Sequence, residues 1–319
     1  MQANPCKLIR HAATAALTAL LMTGGSAFGG TLALTAGPTT ATLPDGQTVP
    51  MWGYICGPAT SSAISCTAAN GLPQAAPPAL PALPAWQPPV IRVPSSEPLT
   101  IRLTNQLSFA AGSGSNTVPT SLVIVGQLGG GLGSTPNRTL SPVHGPQGAT
   151  WPIAGSPTGG ANEPTFTPPA QADRVQSFAT EVAAGASQAL TWSNLRPGTY
   201  LIESGTHPSI QGPMGLYGVL VVTDPASPGT AYGVSYDKDV ALLLSEIDAV
   251  QNRAVDAAVH TTGFSETKVW SGQPGKCGDL PPSTTATSEA NTCYPPAVNY
   301  DPRYYLINGV AFDRGHPDL

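Results

Sequence analysis

Short runs of strand-forming residues, each cut off by glycine or proline, recur from Val90 to Asp224 and decide what this chain can become. Leu99, Ile101 and Leu103 alternate with Thr100, Arg102 and Thr104, the period-two pattern of a half-buried antiparallel strand. TSLVIVGQ (120–127) is a continuous apolar run, which suits a fully buried strand. RVQSFATEVAAGASQALTW (174–192) alternates around a turn at Ala184 and Gly185, and NLRPGTYLIES (194–204) and GLYGVLVVTD (215–224) close the series. Upstream, TLALTAG (31–37) reads as a first strand and VPMWGY (49–54) as a second extended piece. The chain carries 35 Gly and 35 Pro and is only 10% charged, which argues against a helical protein because both residues weaken helices. Strands spaced by turn signals describe an all-β fold, a Greek-key β-sandwich with long Gly/Pro-rich loops.

The segments between the strands set the organisation. Residues 71–89 are Pro-rich and predict an extended, exposed crossing, since proline lacks the donor that a central strand needs. Residues 129–170 form a Gly/Pro/Ser/Thr stretch of a length that is either functional or mobile. After Asp224 the texture changes: DVALLLSEID (239–248) predicts a strand leading into a helix, AVQNRAVDAAVH (249–260) a short helix, and RYYLINGVAF (303–312) another strand-like unit. Lys7 and Arg10, an apolar stretch over 12–22 and small residues around Ala27 and Gly29 predict a signal peptide over 1–29. The mature protein is therefore expected to be exported, periplasmic or secreted, with no transmembrane segment. Export permits disulfides. Cys6 leaves with the leader, and local bridges Cys56–Cys66 and Cys277–Cys293 are expected. A net charge of −5 without a Lys/Arg cluster speaks against nucleic acid as a partner. No G-x-S-x-G elbow or phosphate-binding glycine loop occurs, and no catalytic residue is assigned. Asn137–Thr139 matches a glycosylation acceptor.

Taken in order, PPVIRVPSSEPLTIRLTNQL (88–107), TSLVIVGQ, the block EVAAGASQALTWSNLRPGTYLIESGTHPSIQGPMGLYGVLVV (181–222) and YLINGVAF (305–312) carry a family likeness. They resemble the N-terminal, plastocyanin-like cupredoxin domain of a multicopper oxidase, followed by the opening strand of that family's second domain. The resemblance implies a cupredoxin-like domain over 30–228 that includes the 71–89 crossing and the 129–170 loop. It also implies a connecting segment over 229–302 with a helix and a disulfide loop, and over 303–319 the start of an incomplete second domain. On that reading, deleting 300–319 should leave stability nearly unchanged.

Members of this family hold copper in this domain through two His-x-His pairs, one just before a glycine in the buried strand and one just after the GTY strand. The matching positions here are Val123 and Val125 before Gly126, and Glu203 and Gly205 after Tyr200. Valine cannot ligate, and copper favours imidazole. His207 is displaced by one step of that spacing, so the candidate metal residues are His207, with Glu203 or Met214 as partner. Glu203 also stands as a general base without a nucleophile. His144 and His260 are expected in solvent, His260 suiting a helix C-terminus, and His316 near the chain end. Trp192 is expected in the core, with Trp86 and Trp151 over the sandwich edges. The functional expectation is a structural or assembly domain, or a truncated oxidase, without a copper cluster of its own. The alternatives are an oxidase component that completes its cluster with another cupredoxin domain or chain, and a copper carrier using His207.

Overall fold

Burial alternates along the first strand, β1 (Gly30–Thr42), with Leu32, Leu34 and Ala36 turned inward. The computed structural model describes residues 29–71, 85–130, 138–139, 174–175, 180–264, 294–295, 297 and 300–313. β2 (Thr48–Ala59) returns antiparallel to β1, and β3 (Ser65–Ala68) follows a turn. Next come β4 (Pro89–Pro94), β5 (Leu99–Asn105), the hairpin β6 (Ser108–Ala111) and β7 (Gly114–Thr117), and β8 (Val123–Ile124). A two-residue ladder joins β9 (Arg138–Thr139) to β10 (Arg174–Val175). β11 (Ser187–Trp192), β12 (Gly198–Glu203), the helix α1 (Pro208–Met214) and β13 (Tyr217–Thr223) complete the sandwich. Beyond it lie the hairpin β14 (Thr230–Ala231) and β15 (Val234–Ser235), then β16 (Leu244–Ile247), α2 (Ala249–Val259), β17 (Tyr304–Ile307) and β18 (Val310–Ala311).

One sheet has the order β11-β5-β1-β2 and the other β3-β4-β13-β12-β8. Two parallel pairings, β1 with β5 and β4 with β13, interrupt otherwise antiparallel ladders, so the chain must cross between sheets as a Greek key does. β5 is thus antiparallel to β11 but parallel to β1, a mixed environment that period-two alternation cannot distinguish. The main core fills the space between the sheets with Leu99, Ile101, Leu103, Trp52, Trp192 and Leu220, among others. Pro38 is tolerated within β1 because the β5 ladder has ended at Ala36 and Asn105, so its missing N–H costs nothing on that edge. The expected bridge Cys56–Cys66 is present and pins the end of β2 to β3.

A second cluster lies outside the sandwich. Ile247 from β16 and Leu306 from β17 pack on Leu43, Val49, Met51 and Trp86. The three-stranded sheet β16-β17-β18 therefore rests on the N-terminal hairpin and does not stand apart from it. α2 starts where expected: Asp248 caps it, its Oδ1 accepting from the N–H groups of Val250 and Gln251. His260 ends it, as its position predicts, with Nδ1 2.8 Å from the Asp256 carbonyl oxygen.

Two expectations change. The run 120–127 is not one fully buried strand: only Val123 and Ile124 pair regularly, and Val125 is 44% exposed. Its second face lies on the outside of the sheet, where no described element covers it completely. The Gly/Pro-rich corner contains a two-turn helix, α1, where local composition reads as loop. Pro208 occupies its first turn, where a missing N–H is harmless, and Gly215 ends it at φ 112°. A side chain at Gly215 would collide with Trp86, whose Nε1 donates to the Gly215 carbonyl. The leader, most of the 71–89 crossing and of the 129–170 loop, Asn137, Cys277, Cys293, His144, His316, Trp151 and Trp270 lie outside the described residues.

Candidate functional site

β12 and β8 bring together two of the positions singled out in the sequence, Val123 and Glu203. Glu203 pairs directly with Val123 and Ile202 with Ile124, so Val123 and Glu203 share one face of the sheet. On the same face the Val125 N–H donates to the Leu201 carbonyl. Gly205 is reached from further upstream, its N–H donating to Ser121 Oγ at 3.0 Å. The outer face at these positions thus presents Val123, Val125, Leu201 and one carboxylate.

The other candidates point elsewhere. Met214 is fully buried in the main core at the end of α1. His207 sits just before α1 in a left-handed conformation, φ 40° and ψ 62°, and its carbonyl accepts from the N–H groups of Ile210 and Gln211. Its ring stands edge-on to Tyr294, with centroids 5.8 Å apart. Glu203 lines a groove beside Gly212 and Pro213 of α1, apart from His207, which is not among its lining residues. Burial raises its carboxyl above the ordinary range. Among the described residues, no three His, Cys, Asp or Glu side chains gather where a metal ion could sit.

Beneath the corner lies a buried polar network that motif reading did not single out. Gln211 Oε1 accepts from Thr120 Oγ1 at 2.8 Å and from Ser204 Oγ at 2.6 Å, while its Nε2 donates to the Pro119 carbonyl at 2.8 Å. Thr206 Oγ1 lies 3.0 Å from Ser121 Oγ. Tyr54 donates to the Ser121 carbonyl, and complete burial pushes its hydroxyl far above the ordinary tyrosine range. Gln211, Thr120, Ser121, Ser204 and Thr206 are all buried. Paired hydroxyls and an amide hold β8, β12 and α1 in fixed register. The available signal was local: Thr120 and Ser121 precede one apolar run, and Ser204 and Thr206 follow another.

A groove of about 790 Å³ runs from this face to the third sheet, lined by Leu201, Glu203, Leu244, Tyr305, Ile307 and Phe312. Leu244 and Ile307 are directly paired and both exposed, as is Tyr305, which faces Glu246. Tyr217 lies in the groove, half covered, and burial pushes its hydroxyl up to about 12. No described helix is long and apolar enough to cross a membrane.

No family model matches this sequence, and no curated protein matches it. Solved structures do. A multi-copper oxidase from Pseudomonas thermotolerans is similar at 13% identity and a TM-score of 0.41, over 88% of this chain and 41% of that one. A blue copper oxidase from Nitrosomonas europaea is similar at 13% identity and a TM-score of 0.41, over 89% of this chain and 54% of that one. Fet3p, a multicopper oxidase that functions in iron import, is similar at 18% identity and a TM-score of 0.35, over 68% of this chain and 26% of that one. The match therefore spans less than two thirds of each of these proteins. The sandwich assignment rests on the chain's own ladders. By those ladders the chain is an all-β Greek-key sandwich, and it is similar at low identity to these copper proteins.

Proposed function

We propose that this chain is an exported, cupredoxin-like structural or assembly domain that holds no copper cluster of its own. The observation that carries the reading is the motif face itself. Val123 and Val125 offer no donor atom, Gly205 no side chain, and Glu203 a single carboxylate whose cross-strand neighbours are Val123 and Tyr217. A copper cluster takes several imidazoles converging on one point, and the residues at these positions do not fit it. Below that face the space is filled by the Gln211 network, which secures the corner by hydrogen bonds. The candidate set His207, Glu203 and Met214 fits copper no better, since the thioether is sealed in the core.

An assembly role is supported by the third sheet, which buries one face on the N-terminal hairpin and leaves an apolar face open beside Leu201. Sheets are built to bury apolar faces against a second layer. The partner in this reading is another cupredoxin-like domain or chain, and any oxidase activity belongs to the assembled protein. Export is supported by the leader-like pattern over 1–29 and agrees with the Cys56–Cys66 bridge.

The test is copper per chain, by elemental analysis of mature protein made with copper supplied and then desalted. Copper far below one per chain is the expected result. About one copper, lost in His207→Ala, would favour the carrier reading instead. Three or more would overturn the reading of the motif positions.

A further inference from the structure

The hairpins β14–β15 and β17–β18 have the same turn with different residues in it. Each joins its strands through two residues at positive φ: Tyr232 at 52° and Gly233 at 78°, Asn308 at 53° and Gly309 at 80°. Two positive values in a two-residue loop define the tight hairpin turn in which Asn-Gly is the favoured pair. The second hairpin uses that pair, and Asn308 also accepts from the Leu243 N–H through its side chain. The first places tyrosine at the position asparagine suits. A bulky residue there is a steric outlier, and such outliers concentrate at sites where the side chain is needed.

The ring is placed for contact. Tyr232 is 80% exposed, yet its hydroxyl is anchored, accepting from the Thr199 N–H on β12 at 3.0 Å. An anchored hydroxyl with open ring faces makes a fixed platform. It stands at a cleft of about 900 Å³ between the hairpin and the ends of β12 and β13. Tyr236 also lines the cleft, and Pro197, Pro225 and Pro228 give it rigid apolar walls. The polar rim is mixed: Lys238 and Asp224 line it, and Asp239 is paired with Arg92 at 2.7 Å. A cleft with flat aromatic and proline surfaces and balanced charge suits a neutral, polyhydroxylated ligand. The C–H face of a sugar ring stacks on an aromatic face, while its hydroxyls meet rim donors and acceptors.

We propose that this cleft is a saccharide-binding site with Tyr232 as its stacking platform. The proposal is independent of the copper question. The test is calorimetric titration of the full chain with cellohexaose and with maltohexaose, alongside Tyr232→Asn, which installs the turn the protein already uses at Asn308–Gly309. Saturable binding of at least one probe is expected. Tyr232→Asn should weaken it at least about tenfold while the melting temperature holds or rises. Failure of both probes to bind would overturn the proposal. So would equal binding by the variant, or a fall in its melting temperature, which would make the tyrosine a structural residue. Binding at this cleft of a peptide copying this chain's own proline-rich residues 78–84, PALPALP, in place of either sugar would also overturn it and assign the site to proline-rich peptide.

Discussion

At the corner, one buried amide makes three hydrogen bonds. Removing Gln211 would take from the buried Thr120 hydroxyl its acceptor at 2.8 Å, leave Ser204 only its longer contacts to Thr206 and Thr120, and remove the donor to the part-buried Pro119 carbonyl. Gln211→Ala should cost roughly 2–3 kcal/mol of unfolding free energy, read by denaturant titration. A loss within about 0.5 kcal/mol, the scale of an ordinary surface change, would show that the network does not hold the corner. Glu203 has the opposite sign. Its folded carboxyl is raised by burial, so the folded state binds its proton more tightly than the unfolded state does. The stability this contributes is full below the unfolded value and is lost as pH rises through the folded one. Glu203→Gln should therefore melt at the same temperature as the wild type near pH 4 and slightly higher at pH 7. Equal melting temperatures at both values would place the carboxylate in effective contact with water.

Adjacent residues on one element separate core from surface. Leu306 on β17 is 3% exposed against Met51 and Ile247, and Ile307 beside it is 55% exposed on the opposite face. Leu306→Ala should cost about 2–5 kcal/mol, and Ile307→Ala less than about 0.5 kcal/mol. Similar losses from both, measured by chemical unfolding, would mean that the outer face is already covered in solution. The Cys56–Cys66 bridge closes a loop with a sequence separation of 10, so Cys56→Ser should lower stability by about 2–3 kcal/mol. No measurable loss would mean that the β2–β3 connection is held by its ladder to β4 alone. At this scale the sequence was legible where a pattern repeats: the alternation of β5, the β12–β13 pair and the helix α2 following Asp248 all stand as read. It was not legible at α1, because glycine and proline signal breaks locally, whereas the buried Ile210, Gln211 and Met214 make those seven residues a helix.

For the whole molecule, the last strands and the first are one folding problem. Asp248 Oδ2 accepts from the Asp301 N–H at 2.7 Å, Tyr304 donates to Asp45 at 2.7 Å, and Leu306 completes the cluster around Met51. These contacts argue against the expectation that residues 300–319 are separable. Their deletion should uncover Ile247 and Met51 and lower the melting temperature by roughly 5–10 °C; an unchanged value would restore the separable reading. The sequence by itself determined the all-β class, most of the strands, the Cys56–Cys66 bridge and the absence of donor atoms at Val123 and Val125. These are properties of residue type and short-range spacing, which a linear text records directly. Tertiary structure alone decided that Val123 faces Glu203, that Gln211 gathers the hydroxyls of Thr120 and Ser204, and that Leu306 packs on a hairpin more than 250 positions upstream. Each depends on ladder register between distant strands, and a one-residue shift of register would turn every one of those side chains to the other face.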